Sequence, residues 1–254
     1  MARVFVSGSS TGLGLLAARR LAGWEHDVTL HARDEGRAAE PRRVLPGAPV
    51  VLGDLSTVAG TRDVAAQVEA LGRHDAVVHN AGVYRVPQRV ETADGLSLTF
   101  AVNVLAPYLL TALLPRPDRL VHLTSGLHGS GRGGLDDAQW TRRRLDWLQA
   151  YAESKLFDTM LAFAVARLWP GVRSNAVNPG WVPTRMGGPG APDDLDLGAD
   201  TQAWLAAGDD PATGVTAAYF YHRRAEPAPR AASDAAAQDA LLAYCAELTG
   251  ERLA

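Results

Sequence analysis

Val4-Phe5-Val6-Ser7-Gly8-Ser9-Ser10-Thr11-Gly12-Leu13-Gly14 runs from a short apolar segment into a glycine-rich turn. An apolar helical pattern follows through Leu15, Leu16, Ala18 and Leu21. Strand, glycine turn and helix are the parts of a dinucleotide phosphate site. Glycine lets the backbone come close, and a helix N-terminus presents free N–H groups to a pyrophosphate. The spacing is Gly-x3-Gly-x-Gly rather than the commoner Gly-x-Gly-x-x-Gly. The same triplet also builds a plain tight turn, and its place after the first strand, near the amino terminus, favours the phosphate site.

Outward from this turn the chain alternates strands and helices. Val28-Thr29-Leu30-His31, Val50-Val51-Leu52, Ala76-Val77-Val78-His79, 119–125 and 172–177 read as strands, and 215–221 as a seventh. Helical patterns cover 56–71, with a Ser56 or Thr57 cap, then 92–114, a main helix from Tyr151 that stops at Pro170-Gly171, and 233–248. Residues 141–149 read as a short helix leading into that main helix. Residues 185–200, rich in Gly, Pro and Asp, read as a mobile lid, and 225–232 as a connector. The pattern predicts an α/β fold: one doubly wound parallel sheet of about seven strands with helices on both faces, in a single Rossmann-type domain over 1–254. Its substrate loop would span about 181–212.

The 254 residues suffice for one large core. Acidic residues slightly outnumber basic ones, 28 to 25, so no global basic field recruits nucleic acid or an anionic membrane. The single cysteine, Cys245, excludes an internal disulfide framework. No stretch reaches the length of a membrane span, and the amino terminus enters a strand directly, with no signal or transit peptide in the pattern. A soluble, cytoplasmic protein is the expectation. The histidines are scattered without ligand spacing, so no metal site is expected.

Chemistry-bearing residues gather after the strands. Where an NAD-binding protein places a carboxylate on the ribose 2′-hydroxyl, this chain has Ala32 and then Arg33. A guanidinium suits a 2′-phosphate, which points to NADP over NAD, although Arg37, Arg42 and Arg43 also make Arg33 an ordinary loop arginine. Asp54 and Asn80 follow strand ends, where ligands bind in open α/β sheets, and either would serve equally as a turn cap. Asn103 lies among apolar residues, and Pro107 cannot donate a backbone bond to its carbonyl, leaving that oxygen free to hold a water. A kinked helix with a satisfied core Asn is the plainer alternative. In Tyr151-Ala152-Glu153-Ser154-Lys155 the phenol and the ammonium stand one helical turn apart. A fixed cation beside a phenol lowers its pKa and makes it a usable acid or base.

Together these features resemble the short-chain dehydrogenase/reductase superfamily in its compact form, from about Val4 to Thr184. The resemblance rests on Gly8-x3-Gly12-x-Gly14, Asp54, Asn80-Ala81-Gly82, Asn103, Ser125, Tyr151-x3-Lys155 and Pro179-Gly180, in the family's order. It implies that Tyr151 exchanges a proton with a carbonyl or hydroxyl oxygen that Ser125 holds, while Lys155 binds the nicotinamide ribose and lowers the Tyr151 pKa. Asn103 would hold a water linking Lys155 to solvent. Gly8, Ser9, Ser10, Gly12, Leu13 and Gly14 would line the pyrophosphate, Asp54 and Leu55 the adenine, and Asn80, Ala81 and Gly82 the ribose edge. Pro179, Gly180, Val182 and Thr184 would meet the nicotinamide.

The long gap from Ser125 to Tyr151, with Thr92-Ala93-Asp94-Gly95-Leu96 and Gly180-Trp181-Val182, is most similar to the branch of retinol dehydrogenases and WW-domain oxidoreductases. Thr124 competes with Ser125 for the serine role, and Ser125, last in the strand, is preferred. The implied activity is NADP(H)-dependent interconversion of a carbonyl and an alcohol. Its small substrate is expected to be apolar, with Tyr84, Trp140, Trp147, Trp181 and Met186 near the pocket mouth. A catalytically idle NADP-binding regulator is the alternative. Epimerisation of a nucleotide sugar is disfavoured by the little chain left after Thr184. Helices at 92–114 and 151–169 would pair copies into a homodimer or homotetramer unless the insertion before Tyr151 blocks them.

Overall fold

The computed structural model describes residues 1–253. Its strands are β1 (Arg3–Val6), β2 (Asp27–Ala32), β3 (Val50–Leu52), β4 (Ala76–His79), β5 (Arg119–Leu123), β6 (Arg173–Asn178), β7 (Tyr219–Tyr221) and β8 (Arg224–Glu226). They form one eight-stranded sheet in the order β3-β2-β1-β4-β5-β6-β7-β8, parallel except for β8, which pairs antiparallel with β7. That is one strand more than expected. Most side chains along the inner strands are apolar because both sheet faces are covered, with His31, His79 and His122 near strand ends among the exceptions. Alternation sorts the apolar ones: Val4 and Val6 pack with Leu30, Val78, Val121 and Val177 on one face, and Phe5 with Val51, Val77 and Leu120 on the other.

The helices are α1 (Gly12–Gly23), α2 (Glu35–Val44), α3 (Val58–Ala70), α4 (Leu98–Phe100), α5 (Ala106–Leu113), α6 (Trp147–Leu168), α7 (Leu195–Ala207) and α8 (Ala235–Thr249). Thr57 caps α3 by accepting from the Gly60 N–H. The helix expected over 92–114 begins only at Leu98, because Glu91 bridges to Ser97 across a turn at Thr92–Gly95. Ala101–Leu105 is then a π-helical turn, in which the Ala106 N–H reaches back to Ala101. Residues 141–146 are not helical. The main helix starts at Trp147, where the Asp146 carboxylate accepts from the N–H groups of Leu148 and Gln149. The end of the expected lid, from Leu195, is helix: α7 lies against α1, with Asp200 paired to Arg20.

The expected seventh strand contracts to Tyr219–Tyr221, and a tight hairpin through His222 and Arg223 returns as β8 inside the segment read as a connector. Both turn residues have positive φ (47° and 62°), the backbone twist that a two-residue hairpin requires. Asp200 and the Thr201 hydroxyl hold Arg223 in place.

From Ala150 to Ala166, every residue of α6 is buried by its own chain. The sheet takes one side and α8 and the 126–143 segment much of the rest. Arg143 makes a two-toothed bond to Glu153 (2.6 and 3.1 Å) and lies 3.6 Å over the Trp140 ring. The face expected to pair copies of the chain through this helix is therefore covered. Leu241 of α8 is fully buried in that cluster. Leu241→Ala should cost about 2–5 kcal/mol in urea unfolding, whereas Leu148→Ala, 41% exposed on the first turn of α6, should change stability by less than about 0.5 kcal/mol.

Candidate active site

The turns after β1 and β4, adjacent parallel strands, form the centre of the site. Gly8 sits at φ 62°, and a Cβ there would lie 2.6 Å from the Ala81 Cα, so only glycine fits. The Ser7 hydroxyl accepts from the N–H groups of Asn80 and Ala81, both at 3.1 Å. The Asn80 amide donates to the Ser7 and Gly8 carbonyls at 3.0 Å. Ser9 is fully buried, its hydroxyl donating to the Val6 carbonyl and accepting from the His31 N–H. Its side chain is thus spent on the scaffold, while Ser10, Gly12 and Leu13 are half-buried and Gly14 is buried. Thr11 precedes α1 without a side-chain cap and no acidic residue lies in the first turn, whereas α2, α3, α6, α7 and α8 each carry a capping side chain. The N–H groups of α1 therefore remain available to an anion.

His31 is a residue whose role the sequence did not reveal. Its Nδ1 accepts from the Gly8 N–H at 2.9 Å, and its Nε2 lies 2.9 Å from the Gly53 carbonyl. The first bond requires a bare Nδ1, so the hydrogen is on Nε2 and points to Gly53. One neutral ring thereby ties the glycine turn to the turn carrying Asp54 and Leu55. Asp54 accepts from the Ser56 N–H, and Leu55 is buried. Arg33, beyond β2, is exposed and reaches only Asp34 (3.4 Å), whose carboxylate caps α2 through the Arg37 N–H.

Asn103 fastens the next loop. Its side-chain oxygen accepts from the Val83 N–H (2.8 Å), and its amide donates to the Val83 carbonyl (3.1 Å) and the Ser154 hydroxyl (2.9 Å). A Cβ on Gly82 would lie 3.4 Å from that oxygen and 3.7 Å from the Lys155 ammonium, which brings these three residues together.

At the end of β5 the two hydroxyls part. Thr124 points inward, to the Lys155 carbonyl (2.7 Å) and the Thr159 hydroxyl (3.0 Å). The Ser125 hydroxyl accepts from the Leu127 N–H (3.3 Å) and stands near enough to the Tyr151 phenol to favour its ionised form. Tyr84 packs edge-on against Tyr151 (4.6 Å) and Trp147 (5.5 Å). The expected lowering of the Tyr151 pKa is reversed in this geometry. Burial raises it first, Tyr84 and Asp158 add to the rise, and the Ser125 hydroxyl only partly offsets them. The Lys155 ammonium is turned to the Leu123 carbonyl and to Asp158, 3.3 Å away.

After β6, the Gly180 N–H donates to the Asn178 side chain and the Trp181 N–H to Asp193. Val182 is buried, and Thr184 comes beside Gly12, so this loop meets the glycine turn. Pro179 is likewise buried where the loop begins. Trp181 and Met186 are exposed, but Trp140 is buried under Arg143, away from Tyr151. His128 does not face solvent: it is buried against Tyr219 and Thr159, and burial lowers its pKa to about 4.

A sheet with this switch point, carrying a glycine turn, a Ser–Tyr pair and a neighbouring Lys, defines a dinucleotide-fold oxidoreductase. A family profile described as "short chain dehydrogenase" matches residues 2–119. The short-chain dehydrogenase chyC of Penicillium rubens is 39% identical over 259 residues, covering 100% of this chain and 99% of that protein. Human retinol dehydrogenase 13 is 32% identical over 199 residues, 72% of this chain and 60% of that one. A crystal structure of an uncharacterised protein from Mycobacterium paratuberculosis superposes with a TM-score of 0.85 at 29% identity, covering 100% of this chain and 95% of that one. The chain belongs to the short-chain dehydrogenase family, within reach of its retinol-dehydrogenase-like branch, and is an oxidoreductase. Among the described residues no helix is long and apolar enough to cross a membrane.

Burial holds His31 below the ordinary imidazole value of 6.5, against smaller upward pulls from the Gly53 carbonyl and Asp54. A depressed histidine stabilises the fold fully above that ordinary value and progressively less as pH falls below it. Buried His74, His79 and His128 act in the same direction. Urea unfolding at pH 7.5 and 5.0 should show this acid loss in wild type and a shallower one in His31→Gln. His31→Ala, which orphans the Gly8 N–H, should cost about 1–3 kcal/mol at pH 7.5.

Proposed function

We propose that this protein is an NADP(H)-dependent oxidoreductase that interconverts a small carbonyl compound and its alcohol, the whole chain acting as one dinucleotide-binding domain. The observation that carries this reading is the nearness of the Ser125 hydroxyl to the Tyr151 phenol at the end of β5, on the same sheet edge as the uncapped N-terminus of α1. The chain fits a dinucleotide: free N–H groups at α1 suit its pyrophosphate, and the Gly8 turn keeps side-chain atoms away from the approach. Bound there, the nicotinamide would supply or accept the hydride.

The chain's own residues do the rest. Gly8, Ser10, Gly12, Leu13 and Gly14 hold the phosphates, Ser9 and His31 brace them from beneath, and Asp54, Leu55, Asn80, Ala81 and Gly82 line the adenosine side. Lys155 directs its remaining N–H towards the ribose edge near Gly82, and Pro179, Gly180, Val182 and Thr184 close the nicotinamide end. Ser125 holds the substrate oxygen, and Tyr151 gives or takes its proton. The main-chain carbonyl of Asn103, to which Pro107 offers no N–H, holds the water through which that proton is exchanged with solvent. Tyr84 and Trp147 beside Tyr151, with exposed Trp181 and Met186 on the loop after β6, support an apolar or aromatic substrate.

Arg33 supports NADP. Its guanidinium is exposed at the end of β2, Ala32 replaces the usual carboxylate, and Asp34 is occupied as a helix cap. In a fluorescence titration NADPH should bind more tightly than NADH. Arg33→Ala should weaken NADPH alone, by roughly ten- to a hundredfold for lost charge-assisted bonds of about 1.5–3 kcal/mol. Tyr151→Phe should bind NADPH normally and reduce no carbonyl compound. Binding of neither cofactor would overturn this reading, whereas a preference for NADH would remove the role given to Arg33.

A further inference from the structure

Behind Lys155 lies a buried polar chain that the proposed reaction does not use. Asp158, one turn further along α6 and 1% exposed, places one oxygen 3.3 Å from the Lys155 ammonium and the other 3.0 Å from His122 Nδ1. The His122 ring lies 4.7 Å from that of His79, whose Nε2 is 2.9 Å from the Thr111 hydroxyl. That hydroxyl gives its own hydrogen to the Pro107 carbonyl, so it accepts from His79 Nε2–H. His122 likewise donates Nδ1–H to the Asp158 carboxylate. His79 Nδ1 and His122 Nε2 have no hydrogen-bond partner. Burial, together with His122, keeps His79 well below the usual imidazole range.

The charge account follows. Lys155 is a cation that Asp158 meets at 3.3 Å, and that pair sums to zero. Two of the three ammonium hydrogens point backwards, to Asp158 and to the Leu123 carbonyl, which leaves one for the Gly82 side. The groups that act on Tyr151 are Asp158 from its own helix, Tyr84 from the loop after β4, and Ser125 from just beyond β5, with Lys155 one helical turn along. None of them brings an unbalanced positive charge.

We propose, building on the oxidoreductase reading above, that Asp158 is a positioning residue which offsets the charge of Lys155, keeps Tyr151 a neutral proton donor and thereby sets this site for carbonyl reduction. In reduction the carbonyl carbon receives a hydride from the reduced nicotinamide and its oxygen receives the Tyr151 proton. The C=O π bond breaks, new C–H and O–H bonds form, and the phenolate left behind is reprotonated from solvent. Oxidation of the alcohol starts instead from that phenolate, which a phenol held neutral does not provide near neutral pH. The upward displacement of the Tyr151 pKa agrees with this assignment.

The test is the absorbance of tyrosinate between pH 7 and 10.5, as the difference between proteins with Tyr151 and with Tyr151→Phe. It is made in wild type, Asp158→Asn and Asp158→Glu. Wild type and Asp158→Glu should show no Tyr151 signal below pH 10. Asp158→Asn should bring one into range, because removing a neighbouring like charge moves a pKa by roughly one to three units. A Tyr151 signal in wild type at or below pH 9 would overturn the proposal even if Asp158→Asn failed to fold with Lys155 left unpaired. Coincident titrations of wild type and a folded Asp158→Asn would overturn it as well. The titration needs no cofactor, so its outcome is separate from that of the NADPH binding that tests the reading beneath it.

Discussion

Two backbone turns crossing in contact are the constraint on which the site depends. The glycine turn after β1 passes so close to the turn after β4 that Gly8 meets Ala81 with no room for a side chain. Ser7 and Asn80 then tie the turns together with four hydrogen bonds. From there Val83 bonds to Asn103, and Asn103 to Ser154 in the middle of the Tyr151–Lys155 turn. Helix α6 is thus fastened to the glycine turn through a short run of buried polar contacts. A shift at either end would be felt at the other, because packed interiors deform little.

The same interior shows how a chain without metal-ligand spacing uses buried histidine. His31, His79, His122 and His128 stand at or just beyond strand ends, each with at least one ring nitrogen bonded. A neutral imidazole carries a donor and an acceptor on opposite sides of a rigid ring, so it bridges groups that no aliphatic side chain could join. Burial lowers the pKa of His31, His79 and His128, and the fold gains these bridges at the cost of acid sensitivity.

Much of this was legible in the sequence for physical reasons. Strands buried on both faces read as largely apolar runs, as Val4-Phe5-Val6, Val50-Val51-Leu52 and Ala76-Val77-Val78 do. Tyr151, Lys155 and Ser125 were legible because helical spacing and strand ends place side chains predictably. What escaped was set by distant partners. Residues 92–97 look helical in composition, yet Glu91 and Ser97 pair with each other. α7 hides behind Asp and Gly in its first turns and is identified by its packing on α1. Asp158 and His122 lie 36 positions apart, and nothing in either segment announces the other. The direction of the Tyr151 shift follows first from burial, with Tyr84 and Asp158 adding to it, and none of this is visible in the Tyr–Lys spacing.

The hairpin of β7 and β8 also governs how the molecule meets its own kind. A parallel sheet ending at β7 would present a row of unpaired backbone groups to any passing extended chain. β8 takes up that row and replaces it with three exposed residues, Arg224, Ala225 and Glu226, followed closely by Pro227 and Pro229, which have no N–H to offer. At the opposite margin β3 is only three residues long. Short, charged and proline-flanked borders make poor templates for strand addition, so the sheet ends within one molecule and resists aggregation at high concentration.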